Sequence, residues 1–319
     1  MTVPTGTVQS FPVTRIREDL ANVINLLDAY EVPFYSSIGS ARAENNHPEW
    51  LAHKAPSPDT TNAQIEGDDR SNVTITQPIR YKNFTQILDK VIQVSDSVQA
   101  ANTAGMKEMA RDLMLNGIAL KTDIETFITG NYASVAGAAG SAAHLAGAEA
   151  WIAVNSIGGT GYAAGGFNTG TGVVAIATDG TLASATEANF KSVIQTVWQA
   201  GGKNLNVLVG GVMKQKISSS FTGISTRFQN VIGTDQAKIL GAADIYVSDF
   251  GTHRIMPDRF TRTRTILILD FTTWDKLWLQ PLQQKDLAVN GHSDRKMLWC
   301  ELTLRCWNEL ANGKYADVQ

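Results

Sequence analysis

The feature that most constrains this chain is a long polar segment that has no hydrophobic core of its own. Residues 44–72 are polar, contain three prolines and carry an acidic cluster at 66–69. A segment of this length without secondary structure of its own is uncommon inside a compact domain. In the residues that follow, 73–92, apolar and polar side chains alternate, and the phase of the alternation changes near Lys82-Asn83. This pattern predicts an extended strand with a bend or bulge.

Together, residues 44–94 are predicted to form a two-stranded arm that projects from the body of the protein. An isolated hairpin is marginally stable in water, so this arm needs a partner surface on which to lie. His47 and His53 flank Trp50 in the arm, and we expect exposed polar contacts for them.

Length, charge and cysteine content exclude several classes of protein. The 319 residues suffice for one large or two medium domains with a core that needs no disulfide or metal. A net charge of −3, from 27 basic and 30 acidic residues, argues against a strongly phosphate-neutralising surface. Cys300 and Cys306 lie about 20 Å apart along one predicted strand and are expected to be free, buried thiols.

The chain shows no targeting or membrane-spanning signal. Its first residues lack the basic and apolar regions of a signal peptide. A run of about 18 apolar residues, which a membrane-spanning helix requires, does not occur. We therefore expect a protein that is made in the cytoplasm and does not enter a membrane.

Three segments have the apolar periodicity of a helix, at 14–32, 103–129 and 184–200. Pro33 is predicted to end the first helix. The second would be about 40 Å long, and Gly117 in its apolar stripe predicts that another group approaches closely there. A capping box at Ser184 and Glu187 is predicted to begin the third helix, and Gly201 to end it.

The second half of the chain reads as a packed loop region followed by an α/β unit and a β-rich end. Residues 130–178 contain one charged side chain, Glu149, but enough aromatic and aliphatic residues to predict a packed region. A further helix is predicted to begin near Val212, and a turn at 249–251. Strands are predicted at 207–209, 245–247, 253–256, 265–271 and 298–306, the last with clean alternation.

Catalytic and cofactor motifs are weak throughout. Gly159-Thr160-Gly161 begins a G-x-G-x-x-A pattern, but the glycines at 165–170 cannot open the helix that a dinucleotide site requires. The five histidines are scattered without the spacing of a zinc site. We therefore expect no enzyme activity, no cofactor and no metal.

A local basic cluster at Arg259, Arg262 and Arg264 leaves several interpretations open. It is typical of a solvated strand edge or of a salt bridge between subunits. It is also compatible with a contact to nucleic acid or to an acidic neighbour.

The order of a long arm, a long helix, an α/β unit and a terminal β segment resembles the Hong Kong 97-type capsid fold. The sequence is similar, more specifically, to the phage major head proteins typified by Escherichia phage SU-ten, from about residue 30 to 312. The residues that carry this resemblance are Pro33-Phe34, Ile38-Gly39, Glu49-Trp50, 66–69, Asn83, Gln86-Ile87, Val94-Ser95, Asp123, Glu125, Gly147, Trp151-Ile152, 198–202, Lys214, Phe221, 248–251, Arg259, 286–288, Gly291, Ser293 and 301–304.

The resemblance implies an α+β fold with an N-terminal arm, an extended E-loop hairpin, a peripheral domain built on a long spine helix, and an α/β axial domain. On this basis residues 1–43 are assigned to the N-terminal arm with its short helix, and 44–94 to the E-loop and its strands. Residues 95–150 and 257–319 are assigned to the peripheral domain, and 151–256 to the axial domain.

The resemblance also implies a function. It predicts a major capsid protein that assembles into the icosahedral or prolate head shell around the double-stranded DNA of a phage. Another phage structural subunit, such as a tail tube protein, is the alternative. The implied location is the virion, after assembly in the bacterial cytoplasm.

The implied partners are copies of the chain in pentamers and hexamers, and packaged DNA bound without sequence specificity on the inner face. Scaffold, portal and cement or decoration proteins are further candidates. We expect Trp50→Ala, or charge reversal in the acidic cluster, to impair assembly more than folding. The expected interface residues are Glu49, Trp50, Glu66, Asp68, Asp69, Arg70, Arg80, Arg259 and Arg262.

Overall fold

The computed structural model describes residues 31–56, 58–67, 69, 75–101, 107–221, 245–289 and 291–319. The helix predicted over 14–32, apart from its last two residues, and the predicted interface residues Asp68 and Arg70 lie outside the described residues. Within them, the helices are α1 (Pro33–Ser37), α2 (Asp96–Ala100), α3 (Glu108–Thr129), α4 (Ala148–Trp151), α5 (Glu187–Gln199) and α6 (Gly211–Ser220). None of these helices is long and apolar enough to cross a bilayer.

The strands of the described residues form two larger sheets and two small hairpins. They are β1 (Gly39–Arg42), β2 (Glu49–Ala52), β3 (Ile79–Lys82), β4 (Gln86–Ser95), β5 (Ser156–Ile157), β6 (Gly166–Asn168), β7 (Val173–Ala175), β8 (Leu205–Val209), β9 (Ile245–Ser248), β10 (Gly251–Pro257), β11 (Ile266–Asp270), β12 (Trp274–Asp286), β13 (Ser293–Cys306) and β14 (Gly313–Tyr315).

A four-stranded sheet in the order β1-β12-β13-β4 lies beside the long helix α3. The alternation predicted for the last long strand is confirmed, because five side chains of β13 point into the core: Leu298, Cys300, Leu302, Leu304 and Cys306. Both cysteines are free thiols. Burial in this apolar environment raises the pKa of Cys300 to about 12, which makes its thiol unreactive at neutral pH.

A six-stranded sheet in the order β5-β14-β11-β8-β10-β9 separates two hydrophobic cores. The central strands β8 and β11 are apolar on both faces. Leu208 and Leu267 pack into the core shared with α3, whereas Val207 and Ile268 pack into the core beneath α5 and α6. A strand buried on both faces reads as a continuous apolar run, as the sequence at 265–271 does.

This sheet divides the chain differently from the sequence-based assignment. It combines β8, β9 and β10 with β11 and β14, which come from the 257–319 segment assigned to the peripheral domain. The doubly buried run of β11 requires a central position, so the later segment contributes strands to both sheets. The end of the 1–43 segment also belongs to the body, because Phe34 is fully buried and β1 pairs with β12.

Local signals place most helix ends correctly, with one correction at the start of α5. Pro33 occupies the first turn of α1, where its missing N–H is not needed. The cap of α5 is Thr186 and not Ser184, since the Thr186 hydroxyl accepts a hydrogen bond from the Asn189 backbone N–H. Gly201 ends α5 with a φ of 98°, as predicted.

Gly117 lies in the middle of α3, and a Cβ built there meets no atom within 4 Å. The predicted close approach is therefore absent within the described residues of the subunit. Because glycine is less favourable than alanine in a helix interior, Gly117→Ala is expected to stabilise the subunit by about 0.5–1 kcal/mol. Chemical denaturation measures this gain, and an unchanged or lower stability would show that the backbone is strained at this point.

Candidate assembly surfaces

The arm predicted from the sequence begins as a two-stranded ribbon. Strands β2 and β3 pair antiparallel from Glu49–Lys82 to Ala52–Ile79, and Glu49 forms an exposed ion pair with Arg80 at 3.4 Å. The described residues between the two strands are almost all exposed. His47 and His53 are exposed too, as expected.

The arm displays apolar side chains as well as acidic ones to solvent. Ile65 and Ile75 are 79% and 81% exposed, and Leu51 at the start of the arm is 60% exposed. Glu66 and Asp69 of the acidic cluster are exposed next to them. Exposed aliphatic side chains that are concentrated on one projecting segment are typical of a surface that binds a partner.

Trp50, predicted as an interface residue, lies instead in the core of its own subunit. Its exposed fraction is 6%, and its Nε1 donates a hydrogen bond to the Cys306 carbonyl at 2.8 Å. Its ring centroid lies 5.6 Å from that of Trp151 and 6.3 Å from that of Tyr81. Little of this side chain remains for a neighbour to contact, so its expected role moves from assembly to folding.

Asn83 anchors the other end of the arm, and no local sequence pattern indicated this role. Its side-chain oxygen accepts from the Ala146 N–H at 3.0 Å, and its Nδ2 donates to the Leu304 carbonyl at 2.8 Å. The bend predicted near Lys82-Asn83 is confirmed, because β3 ends at Lys82 and β4 begins at Gln86. A buried amide that bonds two distant segments fixes the direction in which the arm leaves the body.

A second apolar surface lies on the outer face of the four-stranded sheet. Ile87 and Val91 of the edge strand β4 are 61% and 47% exposed, and across the ladder they face Glu301 and Met297 of β13. Lys285 lies opposite Met297 on the same face. An edge strand of ten residues with an exposed apolar face is a site at which proteins associate.

The basic cluster separates into internal and exposed members. Arg262 bonds Glu149 at 3.0 Å and Asp179 at 2.5 Å, and Arg264 bonds Asp317 at 2.5 Å. Arg262 is therefore held in an ion-pair network within the subunit, contrary to an interface role for its guanidinium. Arg259 is exposed, and its interface role stays a prediction.

The glycine-rich segment is filled by a side chain of the protein itself. The Asp317 carboxylate accepts hydrogen bonds from the backbone N–H groups of Gly159 at 3.1 Å and Gly180 at 2.9 Å. A Cβ at Gly159 would lie 1.9 Å from the Thr181 carbonyl oxygen. These glycines allow close packing around an internal carboxylate, which disfavours a dinucleotide site.

Glu125 holds the short helix α1 to the body. Its carboxylate, fully buried at the end of α3, accepts from the backbone N–H groups of Phe34 at 2.8 Å and Tyr35 at 2.7 Å. Lys276 Nζ donates to the Tyr35 carbonyl in the middle of α1 at 2.5 Å, and to the Ile38 carbonyl just after it at 3.3 Å. Burial, with Asp258 nearby, raises the pKa of Glu125 to about 8.

Comparisons with known proteins agree with this fold. The family model described as SU10 major capsid protein matches residues 3–319. The major capsid protein of Escherichia phage Phieco32 is 30% identical over 109 residues, which are 34% of this chain and 31% of that protein. The match thus spans about a third of the relative's length.

Solved structures with the same fold include phage capsids. The Cyanophage A-1(L) capsid asymmetric unit superposes with a TM-score of 0.69 at 12% identity, over 95% of this chain and 97% of that one. Mycobacterium phage Che8 gives a TM-score of 0.56 at 14% identity, over 94% and 97% of the two chains. The fold is the Hong Kong 97-type capsid fold, as the sequence predicted. Since the family model covers nearly the whole length, the chain belongs to the SU10 major capsid protein family.

Proposed function

We propose that this chain is the subunit of a phage head shell, assembles with copies of itself into pentamers and hexamers, and encloses double-stranded DNA. Its family and its structural neighbours support this role. The observation that carries it is the arm, whose exposed Ile65 and Ile75 have no packing partner among the described residues of the subunit. A two-stranded ribbon is marginally stable by itself, so a neighbouring copy that covers the arm would stabilise it.

The outer sheet face of a second copy is the surface on which we place the arm. The arm offers aliphatic side chains beside the carboxylates of Glu66 and Asp69. The sheet face offers Ile87 and Val91. Lys285 and Arg295 lie on the same side of the ladder, and so do the carboxylates of Asp89 and Glu301. The arm and the sheet face are different patches of the subunit, so the contact between two copies is heterologous. Repeated contacts of this kind close into rings and shells when the rotation that relates neighbouring copies allows it.

The role of the chain is structural and not enzymatic in this proposal. DNA on the inner face is held without sequence specificity, and the net charge of −3 limits the strength of that contact. Scaffold, portal and cement or decoration proteins are additional partners that a shell of this type uses. The tail tube alternative loses support, because the family and the structures described above are capsids.

Electron microscopy of the purified protein tests the proposed function. Closed shells are expected at high protein concentration or in the presence of the phage assembly partners. A protein that stays monomeric under all of these conditions would overturn the proposal, and open tubes of constant diameter would support a tail protein instead.

Substitutions in the arm are expected to separate assembly from folding. The variant Ile65→Ser/Ile75→Ser, or the charge-reversed variant Glu66→Lys/Asp69→Lys, should reduce the yield of shells at least about tenfold, because each removes surface that only a neighbour buries. Their unfolding should match that of the wild type within about 0.5 kcal/mol, as is usual for exposed sites. Particle counts and chemical denaturation give the two readouts.

Leu182→Ser is a matched control for the arm variants, since Leu182 is an exposed aliphatic residue outside the arm and the sheet face. It should assemble like the wild type. Normal shell yields from the arm variants would show that the arm does not lie against a neighbour.

A further inference from the structure

We propose that the β9–β10 turn of one copy inserts into a groove on the six-stranded sheet of the next copy, where Asp249 pairs with Arg254. This inference rests on the proposed function and names a contact for it. The turn and the groove are two different surfaces of one domain, as a head-to-tail contact around a ring requires.

The groove lies where the six-stranded sheet extends beyond its core. On one face of β9 and β10, Tyr246 and His253 are buried beneath the helices. The opposite face of the same strands is open, with a depression of about 460 Å³. It is lined by Asn204, Leu205, Asn206, Ile245, Thr252 and Arg254.

Arg254 is the charged group of this groove. It occupies the middle strand, in register with Asn206 of β8 and Ile245 of β9, so the three side chains share one face. Among the described residues it has no ion-pair partner. A guanidinium flanked by amides and a hydroxyl recognises a carboxylate, to which it can bind in a bidentate manner.

Asp249 is the complementary group, at the tip of a rigid turn. Its carboxylate is exposed and likewise has no partner in the described part of the chain. The turn is held in place because the Phe250 N–H donates to Ser248 Oγ at 3.2 Å and the Phe250 ring lies 4.9 Å from that of Trp198. A tip fixed in this way loses little conformational entropy when it binds.

The two groups cannot satisfy each other within one copy. Arg254 lies three residues beyond Gly251 at the end of the turn, about 10 Å along the strand, and no ion pair joins it to Asp249. In the proposed contact, a second copy supplies an ion-pair partner for each group. The carboxylate at the tip of the turn is opposite in charge to the guanidinium in the groove, and the groove is a depression that a turn can enter.

A charge-swap experiment on the full chain tests this contact. Arg254→Glu and Asp249→Lys should each lower the shell yield at least about tenfold, since each brings like charges together. The double variant Arg254→Glu/Asp249→Lys should return the yield to within about threefold of the wild type, because the pair is restored with opposite polarity. Lys216→Glu, on α6 of the same domain, is the control and should assemble normally. Thermal unfolding of each purified subunit shows whether it is folded.

The outcomes distinguish the contact from the proposed function. A wild-type protein that forms no shells would overturn the function. Wild-type shells together with normal yields from both single variants, or with a double variant as defective as the single ones, would overturn the contact alone. If one of these variants does not fold, the double variant Asp249→Cys/Arg254→Cys is tested in its place. A short bismaleimide should link copies of this variant during assembly, and a cross-link confined to single chains would overturn the contact.

Discussion

Replacing Trp50 by alanine is expected to lower the free energy of unfolding of the subunit by about 3–5 kcal/mol. The side chain is almost completely buried between Trp151 and Tyr81, and its hydrogen bond to the Cys306 carbonyl would be lost as well. The cavity left behind cannot collapse easily, since it is walled by large rings. Urea denaturation of the unassembled subunit, followed by circular dichroism, measures the effect.

The neighbouring residue provides a matched control. Leu51 is mostly exposed on the same strand, so Leu51→Ala should change subunit stability by less than about 0.5 kcal/mol. If Trp50→Ala unfolded like the wild type and lost only assembly, the indole would have to face a neighbour. That result would contradict the packing described above.

Replacing Glu125 by alanine is expected to destabilise the subunit by about 3 kcal/mol, because one buried and one partly buried backbone N–H group lose their acceptor. These N–H groups belong to Phe34 and Tyr35 at the start of α1, a helix too short to be stable alone. Denaturation at pH 6 measures the loss. Asp123→Ala is the control on the same helix, because its pair with Lys90 is partly exposed and such pairs contribute about 0–1 kcal/mol. Equal effects of the two substitutions would show that Glu125 does not hold α1.

The raised pKa of Glu125 also predicts how the stability of the subunit depends on pH. Its pKa is about 8 in the folded protein against an ordinary value of 4.5, so the folded protein holds this proton more tightly than the unfolded chain. Its contribution to stability is complete below about pH 4.5 and is lost as the pH rises through about 8. The variant Glu125→Gln should lack this loss, since the amide does not titrate. The free energy of unfolding of both proteins, obtained by denaturation at pH 5.5 and at pH 8.5, measures this loss.

Local patterns in the sequence predicted the elements that depend on near neighbours. The alternation in β13 follows from one buried face of a strand, and the doubly apolar run of β11 from a central position. The turn at 249–251 and the end of α5 at Gly201 follow from glycine. Each of these signals comes from residues that lie close together in the sequence, within a single helix, strand or turn.

The functional residues that were missed depend on partners far along the chain. Glu125 caps a helix 90 residues away, and Asn83 bonds a carbonyl 221 residues away. Nothing in the local pattern distinguishes these residues from solvated polar ones. Trp50 was misplaced for the same reason, because it lies in an otherwise exposed ribbon and its acceptor is 256 residues distant.

The distance between Trp50 and Cys306 has a consequence during synthesis. At about 5–20 residues per second, a ribosome needs roughly 13–50 s to make the acceptor after the tryptophan has been incorporated. During that time the arm has no base on the body and cannot point in its final direction. Nascent chains are therefore unable to present a correctly oriented arm to finished copies, and a growing shell recruits subunits whose translation has passed the last long strand.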